Sequence, residues 1–261
     1  MAGRQDEPEI VLTGGNVSES VVRVGATVRK PASASTAAVE ALLEHLASVG
    51  FEAAPRALGR DERGRVVLEF APGTMADAMP PMTAPELRRV GRLIREFHDA
   101  VAHFVPPPDA AWNVVIPPDR EELICHHDLA PWNLVRHLRD DGTQRWVFID
   151  WDGAGPGSRL WDLAYAAHGF VPMHPAGDPV VDAPNLRALA DGYDLDGQQR
   201  NALPELIVGH TRGMYELLRR GSHSGEQPWA RLWSEGHGEY WGAAATYVER
   251  HLETWRKALL A

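Results

Sequence analysis

The chain is predicted to be an α+β protein in two lobes, a small antiparallel β-rich lobe over residues 1–73 and a larger, mainly helical one over residues 74–261. Three observations lead there. Before residue 73, short β-branched runs alternate with glycine-containing turns, and one amphipathic helical stretch interrupts them. From Thr83 onward, capping signals and apolar residues at helical spacing dominate. Within that second part, one Asp141-Gly142 dipeptide between two apolar runs marks a hairpin.

In chain order, strands are expected from Glu9 to Leu12, from Ser20 to Val24 and from Thr27 to Lys30, with turns at Thr13-Gly14-Gly15-Asn16 and Gly25 and a stop at Pro31. A helix follows, capped by Ser33 or Ser35. Val39, Leu42, Leu43, Leu46 and Val49 give it one apolar stripe, and Gly50 ends it. Val66 to Phe70 reads as the next strand, and Ala71-Pro72-Gly73 closes the first lobe. Thr83-Ala84-Pro85-Glu86 has capping-box spacing, with Leu87, Val90, Ile94 and Phe97 as the buried stripe behind it. After the hairpin, helices run from about Leu160 to the end, with breaks expected near Pro184, Pro204 and Pro228.

Composition narrows the functional classes. A length of 261 residues supports one large domain or two lobes around a substantial core. The formal charge of -10, from 26 basic and 36 acidic residues, argues against binding to nucleic acid or an anionic membrane and favours a cationic or neutral ligand. Cys125 is the single cysteine, so no internal disulfide forms; beside Ile124 it reads as a small packing residue. The N-terminal residues lack the apolar stretch of a signal peptide and no run is long enough to span a bilayer, so the expected location is the cytoplasm.

The chemistry is concentrated between residues 126 and 150. His126-His127-Asp128-Leu129-Ala130-Pro131-Trp132-Asn133 reads H-x-D-x-x-x-x-N, and Phe148-Ile149-Asp150 follows. This is a phosphoryl-transfer arrangement: the Asp128 carboxylate orients or deprotonates an attacking hydroxyl, while the Asn133 amide oxygen and the Asp150 carboxylate are hard-oxygen ligands suited to Mg2+. The midpoint of 133 and 150 is 141.5, on the Asp-Gly turn, so a hairpin in that register sets Asn133 opposite Asp150. Asp and Asn are also ordinary turn residues, but the hairpin and the spacing of Asp150 join them into one site. Asp152 shares a face with Asp150 if the strand continues, as a further metal-site group or a solvated turn residue.

With these residues the chain resembles the aminoglycoside phosphotransferase and choline-kinase-like families, small-molecule relatives of the protein kinases. The specific likeness lies in His126 to Asn133, Ile149-Asp150 and Asp162-Leu163-Ala164, with element order matching over nearly the whole chain. It implies a two-lobed protein-kinase-like fold, Asp128 as the catalytic Asp, Asn133 and Asp150 as the Mg2+ ligands, and His126 as a structural His bracing the loop. Asp162 reads most simply as a helix N-cap, to which the resemblance adds a role in tying down the catalytic loop. His127 departs from the family, which often has a small or amide residue there.

For the phosphoryl donor, ATP or GTP, the signals are sparser. Thr13 to Ser18, ending in Ser18, lies where kinases carry a phosphate-covering loop, yet it is neither G-x-G-x-x-G nor a Walker A sequence. Lys30 in Val28-Arg29-Lys30 has the apolar-x-Lys pattern of a phosphate-binding lysine, with Arg29 on the opposite face. Helical phase puts Glu40 beside the apolar stripe and Glu44 opposite it, making Glu40 the expected partner of Lys30. Glu69 to Ala71, joining the lobes, would offer backbone groups to an adenine.

The segment Gly153-Ala154-Gly155-Pro156-Gly157 leads almost directly from Asp150 into a helix, leaving no room for a peptide-docking platform. The expected acceptor is therefore small: an aminoglycoside-like, amine-bearing molecule, or alternatively an amino alcohol or sugar. Trp229, Trp233, Trp241 and Trp255 with Glu205, Glu216, Glu235 and Glu239 form either an acceptor pocket for an ammonium group or ordinary core and solvated face. Two rivals stand: a catalytically silent binding or immunity protein on the same fold, and a metal-dependent phosphohydrolase using His98-Asp99 and His127-Asp128.

Overall fold

The computed structural model describes residues 8–12 and 21–261. Its first part is a five-stranded antiparallel sheet in the order β1 (Ile10–Val11), β2 (Val22–Val24), β3 (Thr27–Lys30), β5 (Val66–Glu69), β4 (Ala57–Arg60), with helix α1 (Thr36–Ser48) between β3 and β4. Gly25 makes the β2–β3 turn at φ 57, a left-handed angle that costs glycine nothing. In α1 the side chains of Val39, Leu42, Leu43 and Leu46 are buried as the stripe requires. Val49 falls outside it: it is the helix C-cap and 52% exposed. Strand β4 has no counterpart in the sequence reading, because an edge strand with three of its four residues exposed carries no apolar alternation.

The helical part begins, after the short strand β6 (Thr74–Met75), with α2 (Ala84–Ala100). Its capping box forms, the Thr83 N–H donating to Glu86 Oε2 at 2.9 Å, and Leu87, Val90, Ile94 and Phe97 are buried. Then come β7 (Leu123–Cys125), β8 (Leu134–Leu138), β9 (Gln144–Phe148), β10 (Gly155–Gly157) and helices α3 (Arg159–Phe170), α4 (Pro179–Tyr193), α5 (Gly197–Ser224), α6 (Trp229–Ser234), α7 (His237–Arg250) and α8 (Leu252–Leu260). Helices α2 and α4 cross through Gly91 and Gly192; a Cβ on Gly91 would lie 2.1 Å from the Leu189 carbonyl oxygen, so only glycine permits this approach. Cys125 is buried, as a packing residue should be.

Two expectations fail here. Pro184 and Pro204 lie inside α4 and α5 rather than between helices, and the chain breaks only at Pro228. A proline inside a helix costs about 3 kcal/mol, and the buried Ala183, Leu186, Leu189 and Tyr193 on α4, with Leu203 and Ile207 on α5, outweigh it. The hairpin register is also shifted. Strands β8 and β9 pair from Leu134 with Phe148 to Leu138 with Gln144, closed by residues 139–143, in which the Arg139 N–H donates to the Thr143 carbonyl at 2.7 Å and Gly142 takes φ 80. Asn133 therefore faces Ile149, whose N–H donates to its carbonyl oxygen at 2.9 Å, and Asp150 lies one residue beyond.

Candidate active site

A one-residue shift would send the Asp150 side chain to the wrong face of a regular strand. The strand is not regular there: Asp150 takes φ 61, ψ 64, a left-handed conformation that ends β9 and re-aims the carboxylate. It comes within electrostatic reach of Asp128, Asp152 and Lys30, closely surrounded by protein atoms although its surface is exposed to solvent. Desolvation, then the Asp152 and Asp128 charges, push its pKa up to about 6 against the pull of Lys30.

The loop from His126 to Asn133, between β7 and β8, is braced on three sides. Asp162 accepts from the backbone N–H groups of His126 at 3.0 Å and His127 at 2.8 Å and from His98 Nε2 at 3.0 Å. Tyr193 in turn donates its hydroxyl to His98 Nδ1 at 2.7 Å. Burial would raise the Asp162 pKa; the hydrogen bond from His98 leads the groups that hold it down at about 2. The N-cap expectation for Asp162 is corrected: Ser158 caps α3, accepting from the Trp161 N–H, and Asp162 sits in the first turn with its carboxylate turned to the loop.

His126 makes the second brace. Its Nδ1 accepts from the Asp128 N–H at 3.2 Å, which leaves Nε2 to donate to the Ile149 carbonyl at 3.1 Å. Burial lowers its pKa and keeps the ring neutral, as that pairing requires. His127 is the third. Its backbone is left-handed, φ 63, and its Nε2 donates to the carbonyls of Pro156 at 3.0 Å and Gly155 at 3.2 Å. An imidazole in place of a small residue thus fastens the loop to β10.

At the centre, Tyr165 donates its hydroxyl to Asp128 Oδ1 at 2.7 Å, and burial, reinforced by Asp128, holds that phenol well above its usual pKa and therefore a donor. Asn133 Nδ2 donates to the Asp128 carbonyl at 3.0 Å, so the amide oxygen is what Asn133 has left to present. That oxygen and the Asp150 carboxylate are each hard-oxygen donors of the kind Mg2+ takes.

On β3 the alternation holds: Arg29 reaches Asp61 at 3.4 Å, and Lys30 forms an ion pair with Asp152 across the cleft. The Lys30–Glu40 pairing does not form. Arg60, on the unanticipated strand β4, takes Glu40 at 3.3 Å and leaves the other carboxylate oxygen, Oε1, buried without a partner. Ser18 and the loop that contains it lie outside the described residues. Glu69 is engaged, its N–H with the Arg56 carbonyl at 2.9 Å and its carboxylate with Arg145 at 3.1 Å, whereas Ala71 has no hydrogen bond among the described residues.

Sequence reasoning missed Tyr165 and Tyr193, and considered His98 only as a metal ligand of the phosphohydrolase rival, whereas it braces Asp162. Tyr165 carried a signal, since it lies three residues after Asp162 and so on the same face of α3. His98, Cys125 and Asp162 are near enough to hold a metal, but His98 and Asp162 are satisfied by the loop-bracing bonds just described. Of the Trp and Glu set, Trp255 and Trp241 are core. Glu205, Glu216 and Glu235 pair with Arg256, Arg219 and Arg231. Glu239 alone of the four has no ion pair among the described residues, and it lines a cavity with Trp233.

The sequence of residues 21–197 matches the model of the phosphotransferase enzyme family. The chain belongs to this family. The curated trifolitoxin immunity protein of Rhizobium leguminosarum bv. trifolii is 29% identical over 96% of this chain and 98% of its own length. Among solved structures, an amicoumacin kinase bound to AMP-PNP and Ca2+ superposes with a TM-score of 0.62 at 13% identity, covering 94% of this chain and 87% of its own. A microcompartment-associated aminopropanol kinase gives 0.60 at 16% identity, covering 92% and 90%. The two-lobed kinase-like fold follows from these likenesses, and family membership from the match. No helix among the described residues is long and apolar enough to cross a membrane.

Proposed function

We propose that this family member transfers the γ-phosphoryl group of ATP or GTP to a hydroxyl of a small, amine-bearing molecule, in the cytoplasm. The observation that supports the reading is the braced loop, in which Asn133 is bonded to Asp128 and Asp128 acts electrostatically on Asp150. Residues 1–73 would form the nucleotide lobe, with Ala71 offering free backbone groups to the base, and residues 74–261 the catalytic and acceptor lobe. Asn133 and Asp150 would hold Mg2+, which when bound neutralises charge on the triphosphate. Tyr165 occupies Asp128 Oδ1 and leaves Oδ2 to accept the proton of the attacking hydroxyl. Lys30 leaves Asp152 for the phosphates as the nucleotide enters.

Asp128→Asn tests this. Nucleotide affinity should stay nearly intact while kcat falls by roughly 10²–10⁴, the usual contribution of a positioned general base. The measurement is coupled nucleoside-diphosphate release with aminoglycosides, amino alcohols and neutral sugars as acceptors. A variant that keeps most of its kcat removes Asp128 from the role. The similarity to an immunity protein favours a second reading, a kinase fold that protects by binding without turnover. Absence of turnover with every acceptor would select it.

A further inference from the structure

A cavity of about 730 Å³ opens between α5, α6 and α7. It is walled by Tyr215 and Trp233, which pack on the aromatic cluster that also contains Tyr165 and Ala130 of the catalytic loop. The cavity wall thus belongs to the same packed cluster as Tyr165, which donates to Asp128. Two oppositely charged side chains line it, both exposed and neither in an ion pair among the described residues: the Glu239 carboxylate and the Arg250 guanidinium. Glu239 and Arg250 are both on α7, eleven residues apart. At 100° and 1.5 Å per residue they sit about 20° out of line and about 16 Å apart along the axis. Two opposite charges thus mark the two ends of one helix face, with Gly242 and Thr246 between them. Each sign suits its own helix end through the dipole, but the dipole does not explain why both charges border one aromatic-walled cavity.

We infer that this cavity binds an elongated zwitterion, its cationic amine at Glu239 and its carboxylate at Arg250, with the aromatic walls holding an uncharged middle. This differs from a site for a polycation, in which acidic groups would repeat; here Glu239 is the one glutamate that lines the cavity, and Glu205, Glu216 and Glu235 are taken by arginines. That the zwitterion is the phosphoryl acceptor rests on the kinase reading; that it binds does not.

The test is calorimetric titration of the whole chain, without nucleotide and at low salt, with the pentapeptide Gly-Gly-Ser-Gly-Gly, whose extended length is about 16–18 Å. Its N-acetyl form, its C-terminal amide and spermidine serve as comparisons. Each cap should weaken binding roughly tenfold or more, the scale of one charge-assisted contact. Glu239→Gln should erase the difference between free and acetylated peptide, and Arg250→Gln that between acid and amide. The inference is overturned if the free pentapeptide fails to bind at millimolar concentration, if capping changes nothing, or if spermidine binds more tightly. None of these outcomes touches the Asp128 reading, which is judged by turnover.

Discussion

The catalytic loop and the cleft it faces are built on opposite principles. Along the loop, His126, His127 and Asp162 place nearly every polar atom in a hydrogen bond, and the buried Asp162 is stabilised in its charged form. Across the cleft, Asp150 is destabilised in its charged form, and Lys30 answers to a neighbouring carboxylate instead of a ligand. The difference separates geometry from charge. Positioning is completed by the fold, whereas neutralisation is left to whatever enters, which is how a phosphoryl-transfer site gains its rate from preorganisation.

The largest effect should come from the braced side. Asp162→Ala strands His98 Nε2–H and two loop N–H groups in a buried site, and about 3–5 kcal/mol of stability should be lost, read from urea denaturation with activity lost in parallel. Because the folded pKa of Asp162 is depressed to about 2, its contribution is present above the unfolded carboxylate range and is lost as pH falls toward 2. A loss below 1 kcal/mol would show that the brace is incidental.

On the cleft side the sign reverses. The folded pKa of Asp150 is raised to about 6, so its contribution to stability is present below the unfolded value and disappears as pH rises through 6. Asp150→Asn should therefore raise the Tm of the ligand-free protein at pH 8, with the gain vanishing near pH 4. With magnesium and nucleotide added, wild type should become the more stable of the two. A ligand-free Tm lowered at pH 8 would break the contrast between the regions.

How much of this was legible in sequence follows the same division. The residues proposed to orient the hydroxyl and hold the metal stood out as one motif at 126–133 and an Asp at 150, and the capping box and apolar stripes placed the helices. What the sequence hid depended on backbone conformation or distant partners. The left-handed Asp150 corrected a hairpin register that residue counting had set one position away. Glu40 was claimed by Arg60 from an edge strand too exposed to leave a pattern. His98 reaches Asp162 from α2 and is itself held by Tyr193 of α4, contacts that no local spacing encodes.

Tyr165 joins the two regions, since it is buried with the brace yet touches Asp128, the group proposed to meet the acceptor. Tyr165→Phe removes one hydrogen bond to a carboxylate, worth about 1.5–3 kcal/mol. A drop in kcat of roughly tenfold or more is expected, with the nucleotide KM unchanged. In an Asp128→Asn background the same change should do little, because the two act through one interaction. Additive losses would make Tyr165 a packing residue only.

The smallest effect expected is also the sharpest test of the pairing across the cleft. If Lys30 answers to Asp152, as their ion pair indicates, Asp152→Asn should alter nucleotide KM and magnesium dependence, since it frees Lys30 and removes a charge beside Asp150. Glu40→Gln should shift both by less than about twofold, because it loosens only a partly exposed pair with Arg60, and such pairs are worth about 0–1 kcal/mol. Steady-state kinetics over a magnesium titration compares the two variants directly. A larger effect at Glu40 would mean that the helix carboxylate, with its unpaired Oε1, takes Lys30 once nucleotide is bound, and that the Asp152 pair belongs to the ligand-free cleft alone.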